Sequence, residues 1–168
     1  MNRDFILPGS ASSGGVLVPP MGGTSQDGFE ISSVPEASTI GGSNFLQAFN
    51  WNYTSGPFLQ NGNTNIAVWL STATAEVKIK LPSSKRLNMV LTSNPPSSAY
   101  SVARANLTAL KGSNNDVDYD DIPFSLQGTA PIQLSVVTGA VKRYKFYKLT
   151  FTGTDEHIGI NEIALIGG

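Results

Sequence analysis

The chain has 168 residues, of which 14% are charged, with a formal net charge of -1 and no cysteine. That balance removes any general electrostatic reason to bind nucleic acid or an anionic membrane, and a chain without cysteine has neither a thiol nucleophile nor a thiolate zinc site. The length suits one domain with a sizeable core, and a charged fraction well below the roughly one quarter typical of soluble domains implies a surface rich in Ser, Thr and Asn.

The first residues differ in kind from the rest. Phe5-Ile6-Leu7 is a short apolar peptide, Pro8 to Gly15 reads as a flexible Pro/Gly/Ser linker, and Val16-Leu17-Val18-Pro19-Pro20 is a second apolar patch. Such a stretch buries too little to fold alone, so residues 1–28 are assigned to an extended arm and residues 29–168 to the folded domain. Two uses of the arm stand side by side. It packs on its own domain, or it anchors in a neighbouring subunit through Phe5, Ile6, Leu7, Val16, Leu17 and Val18. No run approaches the roughly 18 apolar residues of a membrane span, and the N-terminus lacks the apolar core of a signal peptide.

From Phe29 a strand rhythm begins, with Phe29 to Ser32 opening it and Phe45 to Phe49 fitting a short strand or a helical turn before the irregular segment Asn50 to Gly56. Strands are expected at Ile66 to Leu70, Ala75 to Leu81, Leu87 to Thr92, Leu107 to Lys111, Phe124 to Gln127 and Ile132 to Val137. No segment has capped helical periodicity, and no useful repeat recurs. The last 25 residues read as two strands joined by the polar turn Gly153 to His157. In Tyr144 to Thr152 the residues at 147, 149 and 151 share one face, and apolar residues dominate Ile158 to Leu165. A long antiparallel pair of this kind needs a second sheet over its apolar face, so the class is all-β, a sandwich.

The segment YKFYKLTFTGTDEHIGINEIALIGG resembles the closing strands of galactose-binding-like domains, the discoidin or coagulation-factor type C group of jelly-roll β-sandwiches. A second match is Leu107 to Asp116 followed by Tyr119-Asp120-Asp121-Ile122, where that family ends a strand in a "GSND" turn and opens the return strand with an aromatic. The two motifs stand in the family's order and cover about residues 36–168. Secreted animal relatives are commonly closed by a disulfide, which this chain lacks.

The residue inventory argues against an enzyme. His157 is the one histidine, no G-x-S-x-G elbow or phosphate-cradling glycine loop occurs, and the acid pairs Asp155/Glu156 and Asp118/Asp120 sit where turns carry solvated acids. The basic residues Lys142, Arg143, Lys145 and Lys148 read as a solvated strand face, and Asp116 to Asp121 lacks the glycine and distant glutamate of an EF-hand.

The resemblance implies ligand recognition by loops at one end of the sandwich, with aromatics stacked on sugar faces and polar side chains on the hydroxyls. The loops are Asn50 to Phe58, Asn94 to Arg104 and Gly153 to His157, and the expected ligand residues are Trp51, Tyr53, Tyr100, Arg104 and His157. It also implies calcium held by Glu162 with an early loop, here Asn50 and Asn52, where the family usually carries Asp-Gly. Two uses follow for the whole. The first is a non-catalytic structural or binding module of a virus particle, such as a phage tail, fibre, baseplate or capsid-surface protein, with other virion proteins or further copies as partners and a host-cell glycan as target. The alternative is an extracellular carbohydrate-binding module of a larger secreted glycan-active protein.

Overall fold

In a computed structural model the described residues are 15–38, 45–49, 67–69, 71–94, 103–128, 132–140 and 142–168. Strict alternation sets the centre of the larger sheet. In the strand Tyr144–Thr152, Tyr147, Leu149 and Phe151 are each 0% exposed while the residues between them are half-buried, as a strand with one face on a core requires.

The chain supplies β1 (Gly15–Val16), β2 (Ser25–Gln26), β3 (Phe29–Val34), β4 (Ala67–Trp69), β5 (Thr74–Lys85), β6 (Leu87–Ser93), β7 (Ala103–Arg104) and β8 (Asn106–Ser113). It continues with β9 (Asp120–Asp121), β10 (Phe124–Gln127), β11 (Ile132–Val137), β12 (Tyr144–Thr152), β13 (Ile158–Ile160) and β14 (Glu162–Gly167). A six-stranded sheet has the order β2-β3-β5-β12-β8-β9, a five-stranded sheet β1-β14-β6-β11-β10, and a small third sheet β4-β13-β7. The first two sheets enclose the core, with Val77, Ile79, Leu81, Tyr147, Leu149 and Phe151 from one facing Val90, Ile163 and Leu165 from the other. Burying each such side chain stabilises the fold by about 1.5–3 kcal/mol. The all-β sandwich expected from the sequence is the architecture found.

The closing hairpin is not. β12 pairs with β5 and β8, whereas β14 pairs with β1 and β6 in the opposite sheet. The physical reason lies in Ile158 to Leu165, where every residue but Asn161 is buried. A run covered on both faces has no place beside β12, whose outer face is wet, so residues 153–157 leave the six-stranded sheet for β13 of the small sheet, and the chain enters the five-stranded sheet at β14.

Residues 15–28, assigned to the arm by composition, contribute an edge strand to each large sheet. Val16 pairs with Ile166, Leu17 N–H donates to Leu165 C=O at 2.7 Å, and Val18 and Met21 are buried in the core. Phe5, Ile6 and Leu7 lie outside the described residues. Phe45–Phe49 takes the helical option as a single 3₁₀ turn, in which Phe45 meets Phe49 and Trp69 edge-on at 5.6 and 6.2 Å between ring centres.

The "GSND" turn is held by its own side chains. Asn115 Oδ1 accepts from the Val117 and Asp118 amides at 3.0 and 2.9 Å, and Asn114 bridges to the Arg143 carbonyl and the Lys145 amide at 3.0 and 2.9 Å. The acids of Asp116 to Asp121 are engaged nearby. Asp116 pairs with Lys78, Asp120 with Lys142 and Asp121 with Lys111, while Asp118 accepts from Asn115. Lys148 pairs with Glu76 and lies 4.4 Å from the centre of the Tyr119 ring. Such exposed pairs contribute about 0–1 kcal/mol each, and they give two members of the basic cluster, Lys142 and Lys148, an acid partner.

Candidate functional site

The small sheet organises the loop end of the sandwich. β4 follows the segment that contains residues 50–58, β7 closes the segment after Asn94, and β13 follows residues 153–157. The strands that leave the three nominated loops therefore lie side by side, about 4.8 Å apart, with β13 in the middle. β7 runs parallel to β13, so the segments before them reach the sheet from the same side, and Arg104 sits opposite Gly159, two residues past His157. β4 runs antiparallel to β13, which brings the turn after Trp69 back against residues 153–157.

That turn is fastened to the 153–157 crossing by three bonds. Gly153 N–H donates to Ala73 C=O at 2.9 Å, Thr72 N–H to Glu156 C=O, and Ser71 N–H to His157 Nδ1 at 3.0 Å. The Glu156 carbonyl is also 2.9 Å from Nδ1. With the proton on Nε2 the ring accepts from the Ser71 amide, and with the proton on Nδ1 it donates to the Glu156 carbonyl, so in either tautomer the Nδ1 edge is held by backbone. That edge of the His157 ring holds the loop, and Nε2 is the polar atom of the other edge.

Of the expected ligand residues, His157 is placed at this end, and Arg104 by its backbone; Trp51, Tyr53, Tyr100, Asn50 and Asn52 lie outside the described residues. Glu162 opens β14 opposite Ser93 and is buried. Among the described residues no group of three or more His, Cys, Asp or Glu side chains is gathered as for a metal ion. The described donors alone, with one carboxylate, do not make a calcium site.

A second feature of this end was not read from the sequence. Thr92 and Asn94 occupy inward positions where β6 runs out, Gln133 is the register partner of Thr92 on β11, and Asn161 precedes β14 with its N–H on Ser93 C=O at 2.9 Å. Gln133 Nε2 donates across the core to Asn106 Oδ1 on β8 at 2.6 Å. Thr92 Oγ1, both polar atoms of Asn94, Gln133 Oε1 and Asn161 Oδ1 are closed to solvent and meet no hydrogen-bond partner among the described residues. Each such atom costs about 1–3 kcal/mol if left bare, so five of them together rival the roughly 5–15 kcal/mol net stability of a whole domain. The signal available was polar residues at inward strand positions in Leu91-Thr92-Ser93-Asn94 and Gln133.

No family model matches the chain, and no curated protein matches it. Solved structures do match in fold. The family 32 carbohydrate-binding module of Streptococcus pneumoniae EndoD aligns with TM-score 0.60 at 13% identity, covering 91% of this chain and 99% of that one. A family 32 module of Clostridium perfringens, CpGH89CBM32-5, in complex with GalNAc-beta-1,3-galactose, aligns with TM-score 0.57 at 14% identity, covering 82% and 94%. The lectin domain of lectinolysin complexed with Lewis B antigen gives TM-score 0.57 at 18% identity, covering 84% and 94%. The fold is that of a galactose-binding-like β-sandwich. These neighbours are carbohydrate-binding modules, and nothing in them indicates a bacteriophage origin.

Proposed function

We propose that the chain is a non-catalytic carbohydrate-binding module of a larger, extracellular glycan-active protein, and that its ligand is a galactose-type glycan. The observation that supports this reading is the small sheet, in which β7 and β13 run parallel, so that two of the three nominated loops, 94–104 and 153–157, lead into it from the same side. A sugar resting there would stack its apolar face on Trp51, Tyr53 or Tyr100 and offer hydroxyls to Arg104 and to His157 Nε2. The neighbours' bound galactosides and Lewis B antigen support the same ligand class. The virion reading has no comparable support. A calcium ion on Glu162, with Asn50 and Asn52, belongs to this proposal as a stiffener of the loop end rather than a chemical participant.

The experiment is an array of galactose-, N-acetylgalactosamine- and fucose-terminated glycans probed with the folded protein, once with calcium and once with chelator. Selective binding that falls at least tenfold in Trp51→Ala and His157→Ala is expected. Absence of binding to every glycan by protein shown to be folded overturns the reading, and binding indifferent to chelator removes the calcium.

A further inference from the structure

We infer that the inner face of the five-stranded sheet at its loop end is a hydroxyl-reading floor, formed by Thr92, Asn94, Gln133 and Asn161; this rests on the glycan reading above. The strand positions are fixed by register. Thr92 stands between Ile163 of β14 and Gln133 of β11, and Asn94 follows two residues on, in line with the inward side. Because Asn161 immediately precedes Glu162, the partner of Ser93, it comes beside Asn94. Exposure is 1% at Thr92, 2% at Asn94 and 8% at Gln133, so bulk water does not satisfy them.

The chemistry of the bare atoms chooses the ligand. Asn94 Nδ2 is a donor with no lone pair to give, and Asn94 Oδ1, Gln133 Oε1 and Asn161 Oδ1 are acceptors, while Thr92 Oγ1 serves either way. A metal ion satisfies only the oxygens. A hydroxyl group donates and accepts at once, and it matches a mixed set of neutral donors and acceptors without bringing a charge into a buried place. Asn94 opens the nominated segment 94–104, and Asn161 directly follows β13, so the floor is joined through the chain to two of the strands of the small sheet. A sugar hydroxyl reaching this floor would couple the loops to the sandwich interior.

The test uses Thr92→Val and Asn94→Leu, which keep shape and delete the polar atoms. Glycan-array binding and thermal unfolding are measured on the same preparations. Groups held ready for a ligand are a burden to the free protein, so both variants are expected to unfold at the same or a higher temperature while array binding weakens at least tenfold. A lower unfolding temperature with unchanged binding overturns the inference, because the atoms then serve resident structural water. Gln133→Leu, which also severs the Asn106 bond, is the second variant, and unchanged binding there counts against the floor as well. If the wild type binds no glycan, the functional reading falls and this one with it; if the wild type binds and the variants bind equally, this one falls alone.

Discussion

The ring of Tyr144 lies over the backbone of Gly112, so closely that a Cβ at residue 112 would stand 2.3 Å from Tyr144 Cδ2. Gly112 is on β8 and Tyr144 opens β12, two adjacent strands, and the Tyr144 hydroxyl continues past the glycine to donate to Asp120 Oδ2 at 2.8 Å on β9. Tyr144 also meets Tyr147 edge-on, with ring centres 6.0 Å apart. The glycine of the "GSND" turn is therefore needed as the seat of an aromatic ring. Gly112→Ala is expected to force the ring aside and to cost about 1–3 kcal/mol. Denaturant unfolding reads it directly, and the same substitution in a Tyr144→Ala background should cost measurably less, since the clashing ring is gone. Equal costs in the two backgrounds would show that the clash is not the cause.

The phenols set an alkaline limit. Burial pushes both Tyr144 and Tyr147 up to about 12 from an ordinary 10.0. Tyr147 donates to the Lys85 carbonyl at 2.5 Å. An acid whose folded pKa is raised ionises first in the unfolded chain, so its stabilisation is complete below pH 10 and is lost as pH rises from 10 towards 12. For Tyr147 the effect is on the order of 2 kcal/mol. Tyr147→Phe should lower stability at neutral pH by about 1 kcal/mol and flatten the decline above pH 10, as followed by urea midpoints across the alkaline range.

Acid acts on the opposite group. The Lys78 ammonium, 2.7 Å from Asp116 Oδ2, and the Tyr119 hydroxyl hold the Asp116 carboxyl below its ordinary 3.8. A depressed carboxylate stabilises the fold above the unfolded value and ceases to do so as pH falls through the folded one. Both side chains are about one third exposed, so solvent screening keeps the contribution below about 1 kcal/mol. Asp116→Asn, which tolerates the left-handed backbone at φ 63, should be slightly less stable at pH 7 and indistinguishable from wild type in strong acid. A gap that persists in acid would point to something other than the charge.

Alternation made much of the sandwich legible. Residues 147, 149 and 151 were placed on one face and are buried there, and Phe124–Gln127 and Ile132–Val137 are strands with the bounds expected from the sequence. Pairing was not legible in the same way, because period-two alternation says which face of a strand is wet and nothing about its neighbour; hence β12 and β14 were read as a hairpin although they lie in opposite sheets. At the site, His157 was legible as a rare residue type in a turn. Its partner was not, because the Ser71 amide is a backbone group 86 residues away in sequence. Thr92, Asn94 and Gln133 were hidden for another reason, since a polar residue in a strand normally marks the solvent face and these mark the interior.

The arm yields a prediction in two parts, because its latter half belongs to the sheets. Removing residues 1–28 takes away β1, β2, the Leu17 bond to Leu165, the Met21 bond to Phe49, and the buried side chains of Val18 and Met21. Those two side chains alone are worth roughly 3–6 kcal/mol at 1.5–3 each, a large fraction of the roughly 5–15 kcal/mol that holds a domain together. It would also bare the edge of β14, a row of unpaired backbone groups that invites aggregation. Removing residues 1–14 touches none of these contacts. The shorter deletion is therefore expected to unfold near the wild-type denaturant midpoint, and the longer one to unfold several kcal/mol earlier or to aggregate. Equal stability of the two would mean that β1 and β2 add nothing to the sandwich, and would return residues 15–28 to the status of a linker.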